Sequence, residues 1–447
     1  MTTEVIQDAQ IATLEPSLFM AAESGASIGA SIDEDVREKF FQIYKPLRDE
    51  QLEPYELARI ASAIFHYRPL LSRLLNPTRE KVVVEIGSGL GWKALCWSDL
   101  FASYTGIELD ASRAERSSTV LQRLGKSNAR IITGNAETIF REPRRHGIER
   151  IDLLVLYAVL EHLTIPERRS ILELARDVVE GGGHVLIAES PNRLCRSDSH
   201  SFQLPFSEWI PVELLSEYAA RSTREDLKAV LNASPADRRL ETLYRIGRGI
   251  SFHEFECFWP QFDQAAILND GYCPELLNLE PFRRDELDLW NYCQDNQVHV
   301  HRMFTRYWIE ALVTKAAKKT VRRNLIYIAP QKSTSAPVRE RRQHWELDEA
   351  TIDGAHPYVI EISNAASRGW EMLLLIDVNR SSGSVRIEDA SGREVSTIDL
   401  AQVSCARMPA WHPQAAIPLK CPKSIGGGIT IRATAGSSVI FHGVLLV

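Results

Sequence analysis

The chain has 447 residues, 44% hydrophobic and 25% charged, proportions of an ordinary soluble globular protein. At roughly 100–200 residues per domain it implies two to four domains, with core enough to fold without disulfides or a structural metal. Its 52 basic and 59 acidic side chains leave a net charge of −7, which excludes broad electrostatic affinity for nucleic acid.

Residues 1–32 are rich in Ala, Ser and Gly and poor in aromatics, and read as a loosely ordered lead-in. Over 33–78 the pattern is helical: Leu57, Ile60, Ala61, Ile64 and Phe65 recur at helical spacing until Pro77. From 79 to 191 strands alternate with helices. VVVEIG, YTGIEL, ARIITG, IDLLVLY and GHVLIAES are short β-branched runs, and IPERRSILELARDVVE is the clearest helix between them. Near-continuous apolar strands in such an alternation predict a Rossmann-like, doubly wound α/β sheet covered on both faces. Residues 192–323 read as a helical, aromatic-rich insertion that binds the acceptor, and 324–330 as a late strand returning to that sheet. The polar stretch 331–343 reads as a linker. Residues 344–447 carry short strands separated by SSG, ASG, GGG and AGSS, which predicts an antiparallel β-sandwich. No internal repeat is found.

The longest apolar stretch, around 151–160, falls far short of the ~20 residues that cross a bilayer. MTTEVIQDAQ lacks a basic start followed by an apolar run, so no secretory signal is expected. The seven cysteines, Cys96, Cys195, Cys257, Cys273, Cys293, Cys405 and Cys421, form no CxxC pair and read as reduced thiols of a cytoplasmic protein.

The strongest chemical signal is Glu85-Ile-Gly87-Ser88-Gly89-Leu-Gly91, directly after VVV. A strand entering a glycine turn that opens a helix lets the backbone approach a ligand and offers free N–H groups. Tight strand–helix packing could also call for such glycines. The next strand ends in Glu108, suited to bidentate hydrogen bonding of ribose hydroxyls, a placement that a nicotinamide cofactor would share.

Further along come GNAE at 134–137, YAVLEHL at 157–163, GGGHVLI at 181–187 and ESPNR at 189–193. In this order and spacing the segment resembles the class I S-adenosylmethionine-dependent methyltransferase family, over about a quarter of the chain. The resemblance implies S-adenosylmethionine as cofactor. Glu85, Gly87, Ser88, Gly89 and Gly91 would line its methionine end and ribose. Glu108 would hold the ribose hydroxyls, with Leu109 beside the adenine. Asn135 and Ala136 would meet the adenine edge, and Tyr157 the methionine moiety. The family more often has an acid where Asn135 stands. Trp92 could border the pocket or belong to the core.

Methyl transfer needs an in-line nucleophile and, for a hydroxyl acceptor, a base. His162, His200 and His253 are the candidate catalytic residues, His162 lying just beyond the fourth strand, at the edge where ligands bind. Glu161, His162 and His200 raise a metal reading. The Glu-x-x-Glu-His pattern of metal-using O-methyltransferases, however, has Ala158 in place of its first glutamate here, and no metal is expected. Lys315, Lys318, Lys319, Arg322 and Arg323 read as a solvated helix end, with a phosphate-bearing acceptor as the functional alternative. The aromatics Phe202, Phe206, Trp209, Phe252, Phe255, Phe258, Trp259, Trp290, Tyr292, Tyr307 and Trp308 are expected in a helical core. Trp345, Trp370, Trp411 and His412 belong to the sandwich, whose strand rhythm is similar to jelly-roll carbohydrate-binding modules; they read as core or as sugar-stacking residues.

The expected activity is methyl transfer to oxygen rather than nitrogen, on a glycan or sugar-bearing natural product. A homo-oligomer through the sandwich is possible, and neither a membrane span nor a nucleic-acid partner is expected. The alternatives are an RNA 2′-O-methyltransferase-like enzyme, a nicotinamide-dependent oxidoreductase, and a non-catalytic protein on a cofactor fold.

Overall fold

A computed structural model describes residues 38–315 except 41, 44, 51, 53, 199, 261 and 263–265; beyond them it describes 326–328, 338–339, 349–352, 358–362, 372–389, 391–400, 414–419 and 427–446. The described residues form two units. The first takes those of Arg68–Gly271 and Asp288–Arg322, the second those of Met1–Tyr67, Tyr272–Leu287 and Arg323–Val447.

The first unit is built on one seven-stranded sheet. Its strands are β1 (Val82–Ile86), β2 (Ser103–Glu108), β3 (Ala129–Thr133), β4 (Leu153–Tyr157), β5 (His184–Pro191), β6 (Ala266–Asn269) and β7 (Trp308–Thr314). They lie in the order β3-β2-β1-β4-β5-β7-β6. β1 to β5 pair in parallel, whereas β7 runs antiparallel to β5 and β6. The strand order reverses between β1 and β4, and the crevice outside the carboxyl ends of the strands at such a reversal is where open α/β sheets bind ligands. This is the Rossmann-like fold that the alternating pattern predicts.

Burial on both faces explains the apolar strands. All five residues of β4 are buried. Val84, Leu154, Leu156, Ile187, Ile309 and Val313 share a core with Ile171, Leu172, Ala175 and Val179 of the helix Ile165–Glu180. Each such Val, Leu or Ile side chain contributes about 1.5–3 kcal/mol relative to exposure. The helix starts where Thr164 and Glu167 form a capping box, with Thr164 N donating to Glu167 Oε2 at 2.8 Å.

In the second unit the strands are β8 (Ile326–Ile328), β9 (Val338–Arg339), β10 (Glu349–Ile352), β11 (Tyr358–Ile362), β12 (Met372–Ser382), β13 (Ser384–Asp389), β14 (Glu394–Asp399), β15 (Gln414–Leu419), β16 (Gly427–Ala433) and β17 (Ser438–Leu446). One antiparallel sheet runs β15-β12-β17-β10-β9, with β8 also on β17; the other runs β11-β16-β13-β14. Leu374, Ile376, Val439 and Phe441 from the first sheet meet Val385, Ile387, Ile429 and Ile431 from the second in one core. Alternate residues facing inward from two sheets are the packing of a sandwich.

Several sequence expectations need correction. The late strand Ile326–Ile328 pairs antiparallel with Val444–Leu446, not with the first sheet. The antiparallel member of that sheet is Trp308–Thr314, read from sequence as helix. Ile309 to Val313 are buried on both faces, and a continuous apolar run carries no period that separates strand from helix. The 192–323 segment also holds β6, and Tyr272–Leu287 within it belongs to the second unit. The helix Pro54–Ser62 belongs to that second unit as well. The 331–343 linker contains β9. Phe206, Trp209 and Tyr292, expected in a core, are exposed. Residues 1–32, Lys318, Lys319, Arg322, Arg323, Trp345, Trp370, Trp411 and His412 lie outside the described residues.

Candidate active site

The glycine turn leaves β1 at the reversal of strand order. Gly87 has φ 70°, and a Cβ there would stand 2.8 Å from Val159 Cγ2, so side chain and backbone both require glycine. The turn is held from several sides. Gly87 N and Ser88 N donate to the Ile107 carbonyl at 2.9 and 3.1 Å, and Ser117 Oγ donates to the Gly89 carbonyl at 3.1 Å.

Glu108, at the end of β2, accepts from Gly89 N at 2.6 Å and from Asp110 N at 2.9 Å. An ionised carboxylate offers about four lone-pair sites, so two contacts leave room for hydroxyls. Beside it Leu109 is 69% exposed, an apolar side chain in water next to a carboxylate. That pairing fits a nucleoside, with an apolar ring face adjoining a ribose diol.

Glu85, in β1 just before the turn, is fully buried: its carboxylate accepts from the Tyr104 hydroxyl at 2.8 Å and faces Lys93 Nζ at 3.3 Å. Burial raises its pKa, against Lys93 and Tyr104, which pull it down. Lys93, which sequence reading passed over, also lies 4.2 Å from the centre of the Tyr157 ring. Tyr157 in turn donates its hydroxyl to Glu189, whose backbone N–H donates to Glu310 Oε1 at 2.9 Å. Glu189, Glu310 and Lys93 have no motif of their own; only their position around Tyr157 marks them. Ala158, just past β4, and Glu189, at the register shift within β5, both have φ 48°, backbone strain of the kind that clusters at functional sites.

Asn135 caps the helix Ala136–Arg141, its Oδ1 accepting from Thr138 N at 3.3 Å. The side-chain carbonyl is thus engaged locally, and Asn135 can meet a ligand through its amide NH₂. Trp92 Nε1 and Ser88 Oγ at the turn are buried without a hydrogen-bond partner among the described residues. Buried orphan polar atoms usually have a partner, and a bound polar ligand at this turn would supply one.

Of the three histidines, two come together. His162 and His200 have ring centres 5.1 Å apart, beside Glu161. His253 lies elsewhere. It stacks on Phe252 with ring centres 3.9 Å apart and lines a cavity of about 490 Å³ with Arg193, Glu208, Trp209 and Cys257. Burial pushes the Glu208 carboxyl up to about 7, against the pull of Arg248.

Residues 84–187 match the family model described as a methyltransferase domain. The chain is 27% identical over 120 residues to protein-L-isoaspartate O-methyltransferase 2 of Syntrophobacter fumaroxidans, covering 27% of this chain and 47% of that protein. It thus spans about half the length of that curated relative. Solved structures that it resembles include PKMT2 from Rickettsia typhi in complex with AdoHcy, at 14% identity, TM-score 0.35, covering 64% of this chain and 62% of that one. Another is an arsenic(III) S-adenosylmethionine methyltransferase from Chlamydomonas reinhardtii, at 25% identity, TM-score 0.21, covering 25% and 39%. With its glycine turn, the acid at the end of β2 and the family match in register, the segment 84–187 belongs to the class I S-adenosylmethionine-dependent methyltransferases.

Proposed function

We propose that the whole chain transfers a methyl group from S-adenosylmethionine to an oxygen of a glycan or sugar-bearing natural product. The observation that carries methyl transfer is the conjunction of the Gly87–Gly91 turn, the Glu108 carboxylate and exposed Leu109 at the sheet's switch point. The bound cofactor supplies a methyl group already activated on a sulfonium. The chain's own task is then binding, alignment and exclusion of water. Glu108 would take the ribose hydroxyls, Leu109 the adenine face, Asn135 and Ala136 its edge, and Gly87, Ser88, Gly89 and Gly91 the close approach of the ligand. Tyr157, held by Glu189 and Lys93, would border the methionine end. Glu85 supports this end from within. His162 is the candidate base for an acceptor hydroxyl, with His200 beside it; His253 serves the separate cavity.

Support for a sugar acceptor comes from two places. Phe206 and Trp209 are 46% and 54% exposed and meet edge to face, ring centres 5.1 Å apart and planes 63° to one another, two exposed aromatic side chains against either of which a sugar ring could stack. The two-sheet unit adds the strand rhythm shared with carbohydrate-binding modules. Calorimetry with S-adenosylhomocysteine tests the cofactor. A mass-spectrometric search of host extracts for gain of one CH₂ tests transfer, with glycans and nucleotide sugars as the first acceptor panel. No heat with S-adenosylhomocysteine refutes the reading; a methylated product that lacks sugar refutes the acceptor.

A further inference from the structure

The cavity of about 490 Å³ that His253 lines lies wholly within the first unit. Its size falls inside the range of about 300–1,000 Å³ usual for small-molecule sites. It sits at the carboxyl edge of the sheet: Ile165 starts the helix after β4, and Arg193 and Leu194 follow β5. The helix Phe252–Phe258 supplies a further wall, with His253 and Cys257 one turn apart on one face. Gly249 lets its segment approach the chain after β5, since a Cβ there would stand 2.7 Å from Arg193 N.

The polar groups of the lining divide into those already engaged and those left open. Glu254 is engaged through both oxygens: Oε1 accepts from Arg168 Nη1 at 2.8 Å, and Oε2 from Ser251 N at 2.7 Å and Ser251 Oγ at 2.8 Å. Ser251 thereby gives its one hydroxyl hydrogen to Glu254, so at 3.1 Å its oxygen accepts from His253 Nδ1. In the neutral ring His253 Nε2 then carries a lone pair, and it has no hydrogen-bond partner among the described residues. The Glu208 side chain is only 7% exposed. Its Oε2 accepts from Gly249 N at 3.0 Å, whereas Oε1 has no hydrogen-bond partner among the described residues. Arg193 donates from Nε to the Glu208 carbonyl at 3.2 Å, and its two Nη groups likewise have none. A polar side chain this deeply buried is normally satisfied, and a ligand in the cavity would satisfy it.

These open groups select the ligand by charge. An anion drawn to Arg193 would share the cavity with Glu208, and a cation drawn to Glu208 would share it with Arg193. Burial pushes the Glu208 carboxyl up to about 7, which suits a hydroxyl partner better than an ammonium. A neutral ligand with several hydroxyls answers both, because each hydroxyl donates and accepts. Trp209, 54% exposed, adds an aromatic wall for an apolar ring face.

We propose that this cavity binds one neutral pyranose ring, its apolar face on Trp209 and its hydroxyls shared among the Arg193 Nη groups, Glu208 Oε1 and His253 Nε2. The choice of a sugar rests on the sugar-acceptor reading above. His162, the candidate base, is outside the lining, so in an acceptor glycan this ring is one that is recognised apart from the ring that is methylated. Binding energy from such a remote unit helps to align the reacting hydroxyl.

The test uses the full chain and saturation-transfer NMR with α-methyl glucoside, α-methyl mannoside, β-methyl galactoside and N-acetylglucosamine, with glucuronate and glucosamine as charged counterparts. At least one neutral pyranoside should bind saturably, and more tightly than either charged sugar. It should also slow alkylation of exposed Cys257 by iodoacetamide, read by peptide mass spectrometry. Trp209→Ala should weaken the sugar about two- to tenfold, with Trp209→Phe recovering part of the loss. Glu208→Gln keeps the Gly249 bond through its carbonyl and turns a donor to the cavity in place of an acceptor, so it too should weaken binding. Thermal unfolding reports that each variant is folded. No saturable binding of any neutral pyranoside overturns the proposal, as does tighter binding of a charged sugar. Binding that neither protects Cys257 nor responds to Trp209→Ala and Glu208→Gln overturns it as well. A sugar bound in the cavity with no methylated sugar product upholds the site and refutes the acceptor reading. A methylated glycan whose KM is unchanged in Trp209→Ala and Glu208→Gln upholds the acceptor reading and refutes the site.

Discussion

Gly87→Ala tests the cofactor turn most directly. Two costs follow from the geometry. The residue sits at φ 70°, where an L side chain costs about 1–2 kcal/mol over glycine. The new Cβ would also stand 2.8 Å from Val159 Cγ2, and overpacking of that kind costs about 1–3 kcal/mol. The sum, about 2–5 kcal/mol, lowers the unfolding midpoint by roughly 4–20 °C at the 2–4 °C per kcal/mol usual for a body of this size. If the turn shifts to relieve the overlap, the loss shows instead as weaker binding of S-adenosylhomocysteine. Thermal unfolding and calorimetry together capture both routes. Val159→Ala in the same chain removes Cγ2 and leaves Val159 Cβ at 3.3 Å from the new methyl. The double variant should therefore be less destabilised than the sum of the singles, by about 1–3 kcal/mol, while the backbone cost remains. A Gly87→Ala protein with wild-type midpoint and wild-type affinity would refute the described turn. So would strict additivity with Val159→Ala.

Three further outcomes follow from particular contacts. Glu108→Ala should weaken S-adenosylhomocysteine binding about ten- to hundredfold by calorimetry, the value of a lost hydrogen bond to a charged group of about 1.5–3 kcal/mol. Burial raises Glu208 to about 7, so the folded state keeps its proton where the unfolded chain has lost it. The stability due to this group is fully present below about pH 4.5 and falls by about 3 kcal/mol as pH rises to about 7; denaturant titrations at several pH values should show that slope flattened in Glu208→Gln. Arg168 is fully buried and donates to Glu254 at 2.8 Å and to the Arg248 carbonyl at 2.6 Å, so Arg168→Met should cost about 3–5 kcal/mol in denaturant unfolding by stranding Glu254.

The parallel core was legible in the sequence because burial on both faces leaves a local trace: LLVLY is apolar throughout and VVVEI is apolar but for Glu85, and glycines punctuate the turn after β1. The turn, Glu108 and Leu109 were legible for the same reason, since each follows a strand end. Trp308–Thr314 was not, because an unbroken buried run has no period, and its partners β5 and β6 lie far away in sequence. Lys93 beside Glu85 and Tyr157, and Glu189 beside Tyr157, carry no spacing signal; the sheet brings them together. The same holds for the histidines. Any of the three could reach the cleft as far as the chain alone prescribes. Only the packing of Arg245, Gly247 and Asp198 joins His162 to His200 and sends His253 to a different cavity, since long-range contacts depend on how elements stack and not on the order in which they occur.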